Sequence, residues 1–365
     1  MSKSPSASNA AISGRLLAAL KDEDSLRPLG KRRRLFGAWL RRRPLWCAWQ
    51  VTYRCNFRCR MCPYWRKSAE AEVQPSLEDF RLGSSKLSTF GSILISLAGG
   101  EPTVRGDLLD IIRIVSRHHF TFMTTNGYLV DRNLARELFR AGLWGASVSI
   151  DFADAARHDA SRGRQGAFDR AAAALEYLCA ERTASHQRVN LMATLMHDNL
   201  DDMEGLLKLA ANAGANFMVQ PYSAMKMGDK SFLPPRESAG RLTELHNRHK
   251  NFLSNRVFLE KIGEYLDGGV KGCAAGRAFF NIDTYMKIAI CVENRARPVA
   301  SLRDDPPERI LRKLREGAKG NDCARCWYNC RGEVESLGSI RGLIHALPIY
   351  LTDSFKNNPS RVQKG

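Results

Sequence analysis

From residue 48 to about 222 the chain alternates short apolar runs with amphipathic stretches of helical period. That alternation limits the fold more than any other feature. Strands are expected at 48–53, 93–98, 120–125, 146–150, 188–195 and 217–220, and helices near 76–90, 107–117, 132–141, 167–182 and 201–213. Gly142 and Gly214 stand just past two of these helices, where a glycine ends one. Strand and helix alternating at this spacing mean parallel strands joined by right-handed crossovers. Six such units make an α/β fold, either an open partial barrel or a doubly wound sheet.

The polar motifs share one edge of that fold. Cys55–Cys62 follows the first strand, Gly99-Gly100-Glu101-Pro102 the second and Thr125-Asn126-Gly127 the third. Ser149 and Asp151 close the fourth, and Gln220-Pro221-Tyr222 follows the sixth. The C-terminal rim of parallel strands is where such folds build their sites.

The chain has ten cysteines. No apolar secretory core follows its start, so a cytoplasmic location is expected, and there cysteines read as ligands or catalytic thiols before disulfides. All but Cys47 and Cys179 fall within 55–62 and 273–330. The first group is Cys55-x3-Cys59-x2-Cys62. Three thiolates on one short loop can hold three irons of a [4Fe–4S] cube and leave the fourth open, whereas a structural site with four cysteines is closed. The residues alone also admit a zinc loop lacking one ligand, or three unrelated thiols.

The cysteine loop followed by Gly99-Gly100-Glu101-Pro102, in this order and strand context, resembles the radical S-adenosylmethionine (radical SAM) superfamily over roughly residues 48–222. The resemblance implies a partial (β/α)6 TIM-like barrel. It makes Cys55, Cys59 and Cys62 the catalytic ligands of a [4Fe–4S] cluster whose open iron is chelated by S-adenosyl-L-methionine. It implies reductive cleavage to a 5′-deoxyadenosyl radical, hydrogen abstraction from an unactivated carbon, and an electron donor such as flavodoxin or ferredoxin. Gly99 and Gly100 would let the backbone approach the methionyl end, Glu101 would offer a carboxylate to its amino group, and Pro102 would fix the turn. Thr125, Asn126, Ser149 and Asp151 would line the ribose and adenine side, with Arg162 as partner for the cofactor carboxylate. Met61 departs from the aromatic residue usual before the third cysteine, which implies retuned packing.

The second group, Cys273-x17-Cys291 and Cys323-x2-Cys326-x3-Cys330, resembles the SPASM/twitch extension of the same superfamily. Cys273, Cys291, Cys323 and Cys326 match the four ligands of its short form, Cys330 is a fifth candidate, and one auxiliary [4Fe–4S] cluster is implied. A structural zinc on the C-x2-C knuckle is the alternative. The expected divisions are a basic N-terminal extension (1–46), the core (47–222), a helical bridge (223–272), a small auxiliary-cluster domain (273–335) and an amphipathic basic tail (336–365). Within them, a hairpin is expected over Ala278–Ile290. Helices are expected from Pro234-Pro235 to about Leu253, over Glu308–Glu316, and at Ala10–Leu20. The histidines lack ligand spacing.

The net charge is +18, with eleven Lys/Arg against three Asp/Glu in residues 1–50. Lys31–Arg43 places Leu35, Phe36, Trp39 and Leu40 on one helical face. Such a helix either lies in an anionic membrane surface or sits apolar side down on the body with its arginines solvated. With Ile340, Leu343, Ile344 and Leu347 near the C-terminus, it leans toward a lipid or membrane-associated substrate and a peripheral place on the inner membrane face. The alternative substrate is a peptide, as in radical SAM maturases of ribosomal peptides, although residues 1–46 look short for a leader-binding domain. A non-catalytic iron–sulfur redox or scaffold protein is the reading from another class. No RNA-binding module accompanies the positive charge, which disfavours nucleic acid as a partner.

Overall fold

The computed structural model describes residues 28–66, 73–342 and 344. Six strands carry the expected alternation: β1 Trp46–Thr52, β2 Leu94–Gly99, β3 Phe120–Thr125, β4 Gly145–Ser149, β5 Arg188–Leu195 and β6 Asn216–Pro221. Each pairs in parallel with the next. The sheet does not close, so the architecture is an open partial barrel. Trp49, Ile95, Val148, Leu191 and Val219 turn to the helix layer and form the main core. Gln50, Ser96, Ser147, Asn190 and Gln220 alternate with them and face the concave side.

The crossover helices are α2 Leu77–Ser88, α3 Leu108–Ser116, α4 Arg132–Arg140, α6 Ala167–Ala180 and α7 Met203–Asn212, close to the expected spans. A further helix, α5 Ala155–Arg162, lies between β4 and α6. Asp154 caps its start by accepting from the Arg157 N–H at 2.8 Å, and Gly163, at φ 63°, ends it.

After β6 come α8 Ser238–Arg248 and α9 Arg256–Leu266. Pro234-Pro235 therefore precedes α8, and that helix stops short of Leu253. The expected hairpin forms as β7 Phe279–Ile282 and β8 Lys287–Ala289, followed by β9 Ala300–Ser301, α10 Pro307–Gly317 and α11 Asn329–Ser336. Its first strand also pairs in parallel with β1, extending the core sheet to nine strands. A buried bond from Gln50 Nε2 to Asn281 Oδ1 (2.9 Å) ties the two strands.

The basic N-terminal helix, α1 Pro28–Leu40, docks in the opposite sense to the apolar-side-down arrangement. Lys31 Nζ donates to the carbonyls of Ser116 and His119, and Arg34 donates to Ser88 O at 2.5 Å. Ala38 is buried against Gly91, while Leu29, Phe36 and Leu40 are exposed and Phe36 stacks on Trp39. The reason is what lies beneath. α2 and α3 end there, and their terminal carbonyls, at the negative ends of the helix dipoles, accept from cationic side chains where apolar ones could offer nothing. Burial in turn lowers the Lys31 pKa to about 8.

The expected helix at Ala10–Leu20, and Leu343 and Leu347 of the tail, lie outside the described residues. Ile340 and Ile344 are exposed. Among the described residues no helix is long and apolar enough to cross a membrane.

Candidate active site

The strand ends after β1 and β2 are knitted together. Gly100 N donates to Thr52 O and Glu101 N to Arg54 O, both at 2.8 Å. A Cβ on Gly99 would lie 2.0 Å from Thr52 O, and one on Gly100 2.0 Å from Arg54 O. Gly99 also holds φ 131°. The glycines are therefore required by the backbone that launches the cysteine loop, whatever else approaches them.

Glu101 is buried with both carboxylate oxygens engaged. Oε1 accepts from the Thr103 N–H (3.1 Å) and from the hydroxyls of Thr103 and Thr125 (both 2.7 Å). Oε2 accepts from the Asn126 N–H at 2.7 Å. Burial drives its pKa up and these donors oppose that. Glu101 thus clamps the end of β3 to the end of β2, and Pro102 opens the short 3-10 turn that follows. Asn126 Nδ2 donates to Asn56 Oδ1 at 2.7 Å, so the third rim loop touches the cysteine loop directly. Asn56 went unread because asparagine between cysteines looks like ordinary loop chemistry.

On the other side of the loop, Arg162 at the end of α5 forms a 2.8 Å ion pair with Asp151, whose side chain is fully buried. Asp151 Oδ1 also accepts from the Thr194 N–H (2.8 Å), and its backbone N–H donates to His158 Nδ1 (3.2 Å). Burial lifts the Asp151 carboxyl, and Arg162 and the Thr194 N–H pull it back. The guanidinium also reaches the Cys59 sulfur. Burial raises the Cys59 thiol, and Arg162 is the group that lowers it. Cys55 is pushed up to about 12, chiefly by burial. Arg60 fixes the loop further, donating to Asp198 Oδ2 (2.6 Å) and Ser161 Oγ (3.2 Å). Phe57, Cys59 and Met61 pack with Phe152, Met196 and Tyr222, with Cys55 and Cys62 at the margin. Ser147 accepts from Asn190 at 3.2 Å, and Ser149 is half-buried at the end of β4.

The five downstream cysteines lie near one another. Cys273 is buried and the other four are half-buried. Burial raises Cys291 to about 11 and Cys326 to about 12, with neighbouring cysteines adding to both. The organiser is Arg331, which sequence reasoning missed although it directly follows Cys330. It is wholly buried and donates to Cys326 O (3.0 Å), Cys323 O (3.4 Å) and Val270 O (2.6 Å), and to Glu335 (3.1 Å). Glu335 accepts from the Ala274 N–H at 2.7 Å, joining the Cys273 loop to the knuckle. Asn329, at the start of α11, meets the rim through Gln220 Oε1 (3.4 Å) and Met192 Sδ (3.4 Å).

Among the described residues no three His, Cys, Asp or Glu side chains converge tightly enough for a single metal ion. An iron–sulfur cube spaces its thiolates more widely. The donor set fits such a group in two respects. The first group offers only sulfur donors, and a cation lies against Cys59 to offset thiolate charge.

Residues 49–210 match the Radical SAM superfamily. An AdoMet-dependent heme synthase of Nitratidesulfovibrio vulgaris is 33% identical over 46% of this chain and 45% of its own length, so the chain spans about half of that relative. The mycofactocin maturase MftC of Mycolicibacterium smegmatis is 25% identical over 82% of this chain and 80% of its own. Among solved structures, Streptococcus suis SuiB bound to the precursor peptide SuiA superposes with TM-score 0.59 at 16% identity, covering 86% of this chain and 77% of that one. The open barrel, the cysteine loop at its rim and these likenesses agree: residues 49–210 are a radical SAM domain, of an enzyme superfamily whose cofactors are a [4Fe–4S] cluster and S-adenosylmethionine.

Proposed function

We propose that the protein modifies a peptide at an unactivated carbon, with Cys55, Cys59 and Cys62 holding the cluster that binds S-adenosylmethionine. The observation that carries this is the cysteine loop, held between the Glu101–Thr125–Asn126 clamp and the Asp151–Arg162 pair. When bound, the cluster supplies the electron that cleaves the cofactor. The chain's own residues orient and enclose. Arg162 offsets negative charge at Cys59, and the packed Phe57, Met61 and Phe152 keep water from the loop. Glu101 serves as the clamp, so it places Thr125 and Asn126 for contact with the adenosyl side. Cys273, Cys291, Cys323 and Cys326 would hold a second cluster, with Cys330 as the fifth thiol in reach. In this reading the chain divides into an N-terminal extension (1–46), the core (47–222), a helical bridge (223–272), an auxiliary-cluster domain (273–335) and a tail (336–365).

A peptide is preferred over the lipid suggested by sequence. The likeness to MftC runs nearly the whole chain, whereas the likeness to the heme synthase is confined to less than half of it. SuiB, which shares the fold, was crystallised with a precursor peptide. Fold-level analogy of that kind supports a substrate class and does not identify a substrate. The membrane reading draws on the outward Phe36, Trp39 and Leu40 of α1, flanked by exposed arginines, and on the exposed Ile340 and Ile344.

The test is anaerobic reconstitution with iron and sulfide, reduction by dithionite, and analysis for 5′-deoxyadenosine. Peptides encoded beside the gene are then added and followed by mass. A fully loaded protein that forms no 5′-deoxyadenosine would instead be the redox or scaffold protein. Formation of 5′-deoxyadenosine with unchanged peptide mass would reject the peptide assignment.

A further inference from the structure

The cysteine loop reaches the surface at a basic patch. Arg58 lies between Cys55 and Cys59 and is exposed. Its carbonyl abuts Gly163, where a Cβ would come within 2.6 Å. One residue on, exposed Arg164 lays its guanidinium 4.6 Å over the Tyr128 ring and donates to the Tyr128 hydroxyl at 3.2 Å. Arg170, from the first turn of α6, lies 5.8 Å over the same ring. Beneath, Tyr128 meets Phe57 edge-on at 5.6 Å, and Phe57 belongs to the apolar cluster that contains Cys59. Leu129, next to Tyr128, is 44% exposed.

The patch therefore has a small apolar centre and a cationic rim. None of Arg58, Arg164 and Arg170 has a carboxylate partner among the described residues. Asp159 is turned inward onto the Gly166 and Phe168 N–H groups (2.6 and 2.9 Å). Asp169 is exposed nearby, so the patch stays net positive. Small charged surfaces with an apolar centre suit brief encounters between redox proteins, steered by opposite charge. No other arrangement of these residues is needed for the barrel, because all three side chains project from it.

We propose that Arg58, Arg164 and Arg170, set around Tyr128 and Leu129, dock the acidic one-electron carrier protein that reduces the cluster. The inference rests on the radical SAM assignment of Cys55, Cys59 and Cys62. In the step, the carrier is oxidised by one electron and the cluster is reduced by one, with no atom transferred. The carrier is recognised by its acidic surface, and the apolar centre brings it over Tyr128, which packs on Phe57 of the cysteine loop.

The test uses the full chain and reduced flavodoxin as probe. The variant is Arg164→Glu with Arg170→Glu, both outside the residues assigned to cluster and cofactor. Flavodoxin affinity is measured on iron-free protein at low salt and at about 0.5 M salt, where screening removes surface attraction. Affinity should fall about tenfold in the variant, with loss of the salt dependence. The rate of cluster reduction by flavodoxin, read by absorbance on loaded protein, should fall in parallel. Cofactor cleavage driven by dithionite should be unchanged. If Glu substitutions unfold the chain, Arg164→Gln with Arg170→Gln should give a smaller loss of the same kind. Unchanged flavodoxin affinity and salt dependence would overturn the proposal, as would weakened binding of an RNA oligomer with flavodoxin unaffected. Failure of dithionite to drive cleavage in the unaltered protein would count against the radical SAM assignment instead.

Discussion

Arg162 and Asp151 pair at 2.8 Å across the gap between the end of α5 and the end of β4, and the same guanidinium reaches the sulfur of Cys59. Asp151→Asn leaves that buried cation without a counter-charge. Its expected cost is about 3–5 kcal/mol in denaturant unfolding of the iron-free protein. Asp151→Asn with Arg162→Met should recover part of it. A double-mutant cycle with coupling near zero would mean the pair contributes only position.

Gly100→Ala and Gly106→Ala separate a tight glycine from a free one. A methyl at 100 would collide with Arg54 O, whereas nothing lies within 4 Å of one at 106. Gly100→Ala should lose S-adenosylmethionine binding and melt earlier. Gly106→Ala should be neutral or gain about 0.5 kcal/mol. Equal melting temperatures for the two would contradict the clash.

Iron analysis resolves the two cysteine groups. Unaltered protein should reconstitute to about eight irons per chain, and Cys326→Ala to about four. Cys326→Ala should keep 5′-deoxyadenosine formation under dithionite and lose peptide modification. Cys59→Ala should lose both. Arg331→Met should mimic Cys326→Ala in iron content, because the knuckle carbonyls and the Cys273 loop lose their common donor. Full iron loading in Cys326→Ala would remove the auxiliary assignment.

Glu333 gives a pH signature. Its carboxylate accepts from the Asn255 N–H at 3.1 Å, and burial raises its pKa from 4.5 to about 7. A carboxyl raised on folding contributes stability below about pH 4.5 that is lost as pH rises through about 7. Glu333→Gln should flatten stability across that window and melt higher than the unaltered protein at pH 8. An unchanged pH profile would exclude Glu333 as its source.

The parallel strands and their rim were legible because apolar runs and polar termini alternate along the chain. Helix α5 was not, since Ala155-Ala-Arg-His-Asp-Ala-Ser-Arg162 has almost no apolar periodicity and is held by Asp154 and Gly163 at its ends. Which face α1 turns inward was not legible, because amphipathicity does not reveal that the terminal carbonyls of two helices lie underneath. Gly99, Gly100 and Glu101 stand out in the sequence, but their partners in the structure are backbone and neighbouring loops, which spacing along one chain cannot disclose. Arg162 and Asp151, assigned to separate parts of the cofactor, turn out to face each other. Arg331 stayed invisible because a wholly buried arginine has no sequence signature apart from its partners.

The pairing of β7 with β1 has a mechanical consequence. Cys55–Cys62 leaves the end of β1, and Cys273 and Cys291 bracket the β7–β8 hairpin that is hydrogen-bonded alongside it. The Gln50–Asn281 bond locks the two strands in register. The first group and Cys273 and Cys291 of the second therefore hang from one continuous hydrogen-bonded sheet, which favours a fixed separation between them. Adaptation has to come from the guest. A pliable, extended chain can thread a gap of fixed width, whereas a rigid ring system must already match it.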